Sequence, residues 1–216
     1  MELKNSTKEL LRKKILMKRR LFDSDARVIN NDNIINNTKS VLDSILEKKT
    51  NELATKKLDK LDKRPIVGLY LPMKGEPDLL KLVINSKYHF SIPKLKGAKM
   101  DFTFYHLGSA LEQSAFGKLM QPVGNTELIP DVTIIPGLAF SLGGSRLGFG
   151  AGHYDRYFAK IKQNKLEPKG GIIKIGVCFH DDLHEYLPHE AHDIKLDYLI
   201  TDQTIITFNH KKQFDT

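Results

Sequence analysis

Six of the chain's 15 glycines fall between positions 137 and 152, in the run Pro136-Gly-Leu-Ala-Phe-Ser-Leu-Gly-Gly-Ser-Arg-Leu-Gly-Phe-Gly-Ala-Gly-His-Tyr-Asp155. The apolar segment before Pro136 reads as a strand, and Tyr154, Phe158 and Ile161 place one face of a helix after Gly152. Strand, glycine loop and helix N-terminus together form a setting in which backbone N–H groups bind phosphate. Glycine is required there because a side chain would block the approach of the backbone to an anion. Arg146 adds a planar fork of donors matched to phosphate oxygens. Asp155, in the first helical turn, offers a hard oxygen ligand for a cation that would neutralise those phosphates. The run is not a Walker A loop, because no Gly-Lys-Ser/Thr follows, and its Gly-x-Gly-x-Gly spacing is not a dinucleotide fingerprint. The competing reading is a surface loop in which Asp155 only complements the helix dipole.

Three other places carry chemistry. Lys8 and Arg12 are four residues apart, so on a helix they share a face and reach the same polyphosphate; without a phosphate they are simply a solvated basic face. Glu76 follows the apolar segment Ile66–Leu71, where open α/β sheets bind ligands, or else it is an acid ahead of a short helix opened by Pro77. The segment from His180 to Asp193 contains His180, Asp181, Asp182, His184, Glu185, His189, Glu190, His192 and Asp193, a set with the makings of a zinc site, but no His-Glu-x-x-His helix. No Ser/His/Asp or Cys/His arrangement for a protein nucleophile is evident.

The elements that would hold these groups follow from periodicity. Ser6-Thr7-Lys8-Glu9 reads as a capping box opening a helix with Leu10, Leu11, Ile15, Leu21 and Phe22 at helical spacing and a basic outer face. A second helix is expected from Asp32 to Lys48, and residues 49–64 are expected to be a basic, solvated linker or extension. After Pro65 the rhythm becomes short apolar strands alternating with helices, at Ile66–Leu71, Tyr88–Ile92, Met100–Tyr105, Val132–Ile135, Ile172–Cys178 and Tyr198–Thr201. This predicts a single domain over residues 1–216, a three-layer α/β/α sandwich with a largely parallel central sheet, made of an N-terminal helical arm at 1–48 and an α/β body at 65–216.

Composition bounds the partners. The chain has 216 residues, 34 Lys+Arg against 26 Asp+Glu, and a net charge of +8. That charge is concentrated at the start: residues 1–20 carry +6 and residues 48–64 carry +4, whereas the part from Pro65 onward is close to neutral. Aromatic residues are not interleaved with the basic runs, so no stacking platform for nucleic acid is expected. One cysteine, Cys178, excludes an internal disulfide framework and a cysteine-rich metal site. No apolar run of membrane-spanning length and no secretory h-region is present, so a soluble cytoplasmic protein is expected.

Four ordered stretches resemble one family. Gly144-Ser145-Arg146-Leu147-Gly148-Phe149-Gly150-Ala151-Gly152-His153-Tyr154-Asp155-Arg156, Lys8-Glu9-Leu10-Leu11-Arg12, Leu71-Pro72-Met73-Lys74-Gly75-Glu76, and the late segment Leu187–Asp197 are similar to motifs of the 5-formyltetrahydrofolate cyclo-ligases, also called methenyltetrahydrofolate synthetases. The chain departs from the pattern at Ser141, where the family carries Asp, at His153, where it carries Tyr, and at Gln121, where it carries Glu before Pro. The resemblance implies ATP-dependent closure of 5-formyltetrahydrofolate to 5,10-methenyltetrahydrofolate, by phosphorylation of the formyl oxygen; a monomer is the separate expectation for its assembly. It implies Lys8 and Arg146 as catalytic residues. ATP would be held by Lys8, Arg12, Gly144, Arg146, Leu147, Gly148, Phe149, Gly150, Ala151, Gly152, His153 and Tyr154. The folate would meet Leu71, Met73, Glu76 and residues Phe149 to His153, and Mg2+ would sit on Asp155 and Asp193. The rival readings are a non-catalytic nucleotide- or nucleic-acid-binding module built on the basic N-terminal third and a zinc hydrolase built on His184, His189 and His192.

Overall fold

The computed structural model describes residues 2–20, 24–54, 64–84, 86–115, 119–124 and 126–208. Two helices, α1 (Glu2–Arg20) and α2 (Ser24–Ala54), precede strands β1 (Ile66–Gly68), β2 (His89–Lys96), β3 (Lys99–Tyr105), β4 (Leu111–Gln113), β5 (Met120–Pro122), β6 (Val132–Ile135), β7 (Ala139–Ser141) and β8 (Arg146–Leu147). Helix α3 (His153–Gln163) and strands β9 (Ile173–Val177), β10 (Leu183–His184), β11 (Tyr198–Ile200) and β12 (Ile205–Thr207) complete the order. Seven strands form the main sheet in the order β12-β11-β9-β6-β1-β2-β3. The inner pairs are parallel, and only the edge strands β12 and β3 run antiparallel to their neighbours.

Period-two alternation sorts the strand residues onto two faces. Val67, Phe90, Ile92, Ile134, Ile175 and Ile200 face α2, whose Ile34, Val41, Leu42 and Leu46 recur at helical spacing in the same core. Phe102, Ile135, Phe140 and Leu199 face the other way, onto Tyr157, Phe158 and Ile161 of α3. The molecule is therefore a mixed α/β sandwich of three layers with a mostly parallel sheet. A third, smaller core joins Ile15 and Leu11 of α1 to Leu138, Ala139, Leu147 and Leu187, so the described side chains of α1 pack on the small sheet β10-β7-β8. No helix among the described residues is long and apolar enough to cross a membrane.

Several local expectations are corrected. Helix α1 begins at Glu2, so Ser6 lies inside it and is not its cap; Glu9 instead pairs with Lys13 one turn on, at 3.0 Å. Lys8 and Arg19 of that helix are buried, not part of an outer basic face, and Leu10 is exposed. Leu21 and Phe22 fall outside the described residues. Helix α2 runs well beyond both expected ends and takes in residues 49–54 of the expected linker, while 55–63 fall outside the described residues. The turn after Glu76 is a 3-10 helix from Leu80 to Val83, beginning later than Pro77, with its Leu80 N–H held by the Asp78 carboxylate at 2.9 Å. The stretch expected as one glycine loop contains the β7–β8 hairpin. The two-stranded β4–β5 ribbon was not legible, because strands of three residues show no period.

Candidate active site

From β1 the chain builds outward through β2 and β3, and from β6 it builds in the opposite direction through β9, β11 and β12. The gap beyond the carboxyl ends of β1 and β6 is thus the sheet's switch point, where ligands bind in open α/β folds. The segments leaving those two strands are Leu69–Glu76 and Pro136–Gly152. Between them lies a cavity of about 1190 Å³, walled also by the N-terminal half of α1, the β4–β5 ribbon and residues 190–194.

Arg146 reaches the cavity from β8. Its Nη1 donates to the Pro136 carbonyl at 3.2 Å, its Nη2 lies 3.4 Å from Asp155 Oδ2, and its guanidinium sits 5.4 Å from the centre of the Tyr154 ring. Nε is buried with no hydrogen-bond partner among the described residues, as are the Tyr154 hydroxyl and Glu76 Oε1. All three side chains line the same cavity. Burial pushes the Tyr154 hydroxyl well above the ordinary tyrosine range. Glu76 accepts the Met73 N–H at 2.9 Å through Oε2, and burial raises its pKa to about 7 against the opposing pull of that N–H and of the Arg19 and Arg146 charges.

At two glycines of the loop between β8 and α3 a side chain would disturb the site. A Cβ on Gly148 would fall 2.8 Å from Arg146 Nη1, and Gly150 has φ +100° with the Arg12 guanidinium 3.4 Å from where its Cβ would be. Gly152, also left-handed, caps α3 without a side-chain hydrogen bond, and the first intrahelical bond runs from the Arg156 N–H to the Gly152 carbonyl at 3.1 Å. The N–H groups of that first turn have no intrahelical acceptor, and the helix dipole adds positive potential where Gly148 to Tyr154 line the cavity. Half-buried His153 is held below the ordinary histidine pKa by burial and by Arg156.

Helix α1 closes the opposite wall. Arg12 Nε donates to the Gly148 carbonyl at 3.0 Å, and Lys8 Nζ lies 3.0 Å from Glu190 Oε1 and 2.9 Å from Asp193 Oδ2. Asp193 Oδ2 also accepts the Glu190 N–H at 2.8 Å, and Asp155 Oδ1 accepts the Ile194 N–H at 3.2 Å. Asp155 and Asp193 are both on the cavity wall. Among the described residues no three His, Cys, Asp or Glu side chains form a metal-ligand group. The donors present suit a cation that takes one or two carboxylates and completes its shell with phosphate oxygens and water, the habit of magnesium. Imidazoles do not converge: His189 and His192 are exposed, and His184 is half-buried on β10.

Of the residues singled out in the sequence, Lys8, Arg12, Leu71, Met73, Glu76, Arg146 to Asp155 and Asp193 all border this one cavity. Gly144 does not. It sits at the tip of the β7–β8 hairpin with φ +78° against the Phe208 ring, because the hairpin turns it away from the loop. Ser141 is likewise a hairpin residue, its Oγ accepting the Ser145 N–H at 3.1 Å. Not foreseen was the apolar wall of Pro93, Leu95, Met100, Leu111 and Met120; Gln121, singled out only as a departure from the family pattern, also lines the cavity, its Oε1 accepting the Leu95 N–H and its Nε2 donating to Glu112. Glu190, one of many possible metal ligands and part of the Leu187–Asp197 stretch, partners Lys8.

Comparison with known proteins gives a consistent result. The model of the 5-formyltetrahydrofolate cyclo-ligase family matches residues 4–202. A Schizosaccharomyces pombe protein named "Probable 5-formyltetrahydrofolate cyclo-ligase" is 29% identical over 140 residues, which is 59% of this chain and 68% of that protein. The 5-formyltetrahydrofolate cyclo-ligase of Saccharomyces cerevisiae is 34% identical over 73 residues, 33% of this chain and 34% of that protein. Among solved structures, the 5,10-methenyltetrahydrofolate synthetase of Aquifex aeolicus superposes with a TM-score of 0.69 at 29% identity, covering 97% of this chain and 96% of that one. That of Mycoplasma pneumoniae gives 0.58 at 21% identity over 90% and 98%, a likeness of fold.

Proposed function

The chain belongs to the 5-formyltetrahydrofolate cyclo-ligase family and is an enzyme of that class, and on this premise we propose that it closes 5-formyltetrahydrofolate to 5,10-methenyltetrahydrofolate at the expense of ATP. The observation that carries the reading is the convergence of Lys8, Arg12, Arg146 and Glu76, from three distant stretches of chain, on one cavity.

A formyl oxygen on an amide-like carbon is a poor leaving group. Transfer of the terminal phosphoryl of ATP to it releases ADP and converts it into phosphate ester, and the carbon becomes electrophilic. The second folate nitrogen then bonds to that carbon and gives up its proton, and inorganic phosphate departs with the former formyl oxygen. No covalent enzyme intermediate is needed, so the protein's work is positioning and charge stabilisation. Arg146, preorganised by Pro136 and Asp155, stabilises charge on the transferring phosphoryl. Lys8 and Arg12 bind the polyphosphate from α1, and the N–H groups from Gly148 to Tyr154 cradle it from the other side. Glu76 Oε1 accepts N–H groups of the pterin, while Leu71, Met73, Leu111 and Met120 cover its faces and exclude water. Asp155 and Asp193 are the residues that would hold Mg2+, which neutralises phosphate charge when bound.

The test is the growth of methenyl-folate absorbance on adding 5-formyltetrahydrofolate and Mg-ATP to the purified protein. Turnover that stops when ATP is omitted supports the proposal; none in folded, magnesium-replete protein overturns it.

A further inference from the structure

Arg19 does not border the cavity, yet it is built into the wall behind it. Its side chain is only 4% exposed, and its Nη2 is within hydrogen-bond distance of three acceptors: the Gly137 carbonyl at 2.8 Å, the Leu138 carbonyl at 3.0 Å and Asp182 Oδ2 at 3.0 Å. The preceding carbonyl, that of Pro136, is the one held by Arg146. Two arginines therefore take three successive carbonyls at the exit of β6. Along α1, Lys8, Arg12, Ile15 and Arg19 are spaced i, i+4, i+7 and i+11, so they share one face. Ile15 packs in the small core, and Lys8 and Arg12 reach the cavity about 16 Å and 10 Å along the helix from Arg19, at the usual rise per residue.

We propose that Arg19 is a positioning residue for the phosphoryl transfer, fixing α1 and the 136–138 loop to each other and so setting Lys8 and Arg12 in register with Arg146. This inference rests on the cyclo-ligase reading of the site. Stability alone is a weak reason for the arrangement. The guanidinium leaves Nε and Nη1 buried with no partner among the described residues, and unsatisfied buried donors cost stability. A buried ion pair of this kind is often replaced by apolar side chains without loss of stability. What apolar side chains cannot supply is the directional bond from the helix to two consecutive loop carbonyls. The same charge is felt at Glu76, where it acts with Arg146 to favour the ionised carboxylate against burial.

The experiment compares wild type, the double variant Arg19→Met/Asp182→Leu, and Arg19→Lys, in thermal unfolding and in full steady-state kinetics with 5-formyltetrahydrofolate and Mg-ATP. The expected result is a double variant with near wild-type Tm whose kcat falls about tenfold to a hundredfold, the scale of a misplacement near 1 Å, with a smaller change in either KM. Arg19→Lys keeps the charge but not the planar fork, and its kcat should fall at little cost in Tm; it carries the test if the double variant does not fold. A folded double variant, or failing that Arg19→Lys, with wild-type kcat and KM overturns the inference and leaves the cyclo-ligase reading intact. Wild type without turnover removes that reading, and the inference with it.

Discussion

Lys8 Nζ lies 2.9 Å from Asp193 Oδ2, so the start of the first helix is tied to the loop that leads into β11, 185 positions away. Burial alone would lower the lysine's pKa, but its hydrogen bonds to Asp193 and Glu190 outweigh that and raise it. Burial would raise the Asp193 pKa, but the hydrogen bonds it accepts from Lys8 Nζ and from the Glu190 N–H hold it low. Both partners are charged at neutral pH. The contact gives α1 a fixed position over the cavity, and it presents a cation and a carboxylate side by side where a nucleotide and its counter-ion would lie.

Replacing Lys8 with Gln should weaken ATP and slow the reaction. A hydrogen bond to a charged group contributes about 1.5–3 kcal/mol, so the KM for ATP should rise at least about tenfold while that for the folate changes little. An unchanged KM for ATP would show that Lys8 only ties down the helix.

Arg146→Ala should lower kcat about a hundredfold or more, the usual consequence of losing a preorganised charge stabiliser. The fold should survive with a modest loss of Tm, because the guanidinium lines the cavity but also holds the Pro136 carbonyl. A loss under about threefold would place the phosphoryl group away from this arginine.

Glu76 sets a pH dependence of known sign. With its pKa raised to about 7 in the free enzyme, the carboxyl is neutral below that pH and becomes an acceptor of pterin N–H groups above it. The kcat/KM for the folate should therefore rise through pH 7 and level off, a step that Glu76→Gln removes along with most of the affinity. Stability moves the opposite way. The native state holds the Glu76 proton more tightly than the unfolded chain, so wild type loses stability as pH rises from the ordinary glutamate value, 4.5, to about 7. The shift corresponds to about 3 kcal/mol, so Glu76→Gln should gain up to that much over wild type at pH 8 and little at pH 4. A flat kcat/KM profile would remove Glu76 from folate binding.

Asp155→Asn and Asp193→Asn remove charge at constant size. Each should raise the magnesium concentration needed for half-maximal rate and lower kcat, while His184→Ala/His189→Ala should stay within about threefold of wild type, as expected when hard oxygen and not imidazole ligands hold the cation. A dead histidine variant beside two active Asn variants would reverse the metal assignment.

The sheet strands were legible because Ile134, Ile135 and Ile175 belong to short apolar runs whose burial on both faces admits little else. The loop residues 146–155 were legible because glycine, arginine and aspartate at that spacing have few other uses together. The local start of α1 was not, since Ser6 and Glu9 satisfy a capping pattern that the longer helix overrides. Lys8 and Arg12 gave their shared face from spacing, but nothing local could show that Lys8 would meet Glu190 and Asp193. The apolar wall of Leu111 and Met120 was hidden for the same reason: strands of three residues carry no period, and only the tertiary fold brings them to the same cavity as Leu95. Arg19 read as one more charge in a basic run, because burial of a guanidinium depends on carbonyls 118 and 119 residues away.

The most direct test of phosphoryl transfer to the formyl oxygen follows that atom. With 5-formyltetrahydrofolate labelled with 18O in the formyl group, a single turnover with unlabelled Mg-ATP in unlabelled water should place one labelled oxygen in the inorganic phosphate for each ring closed. Label recovered in water, with unlabelled phosphate, would contradict the account.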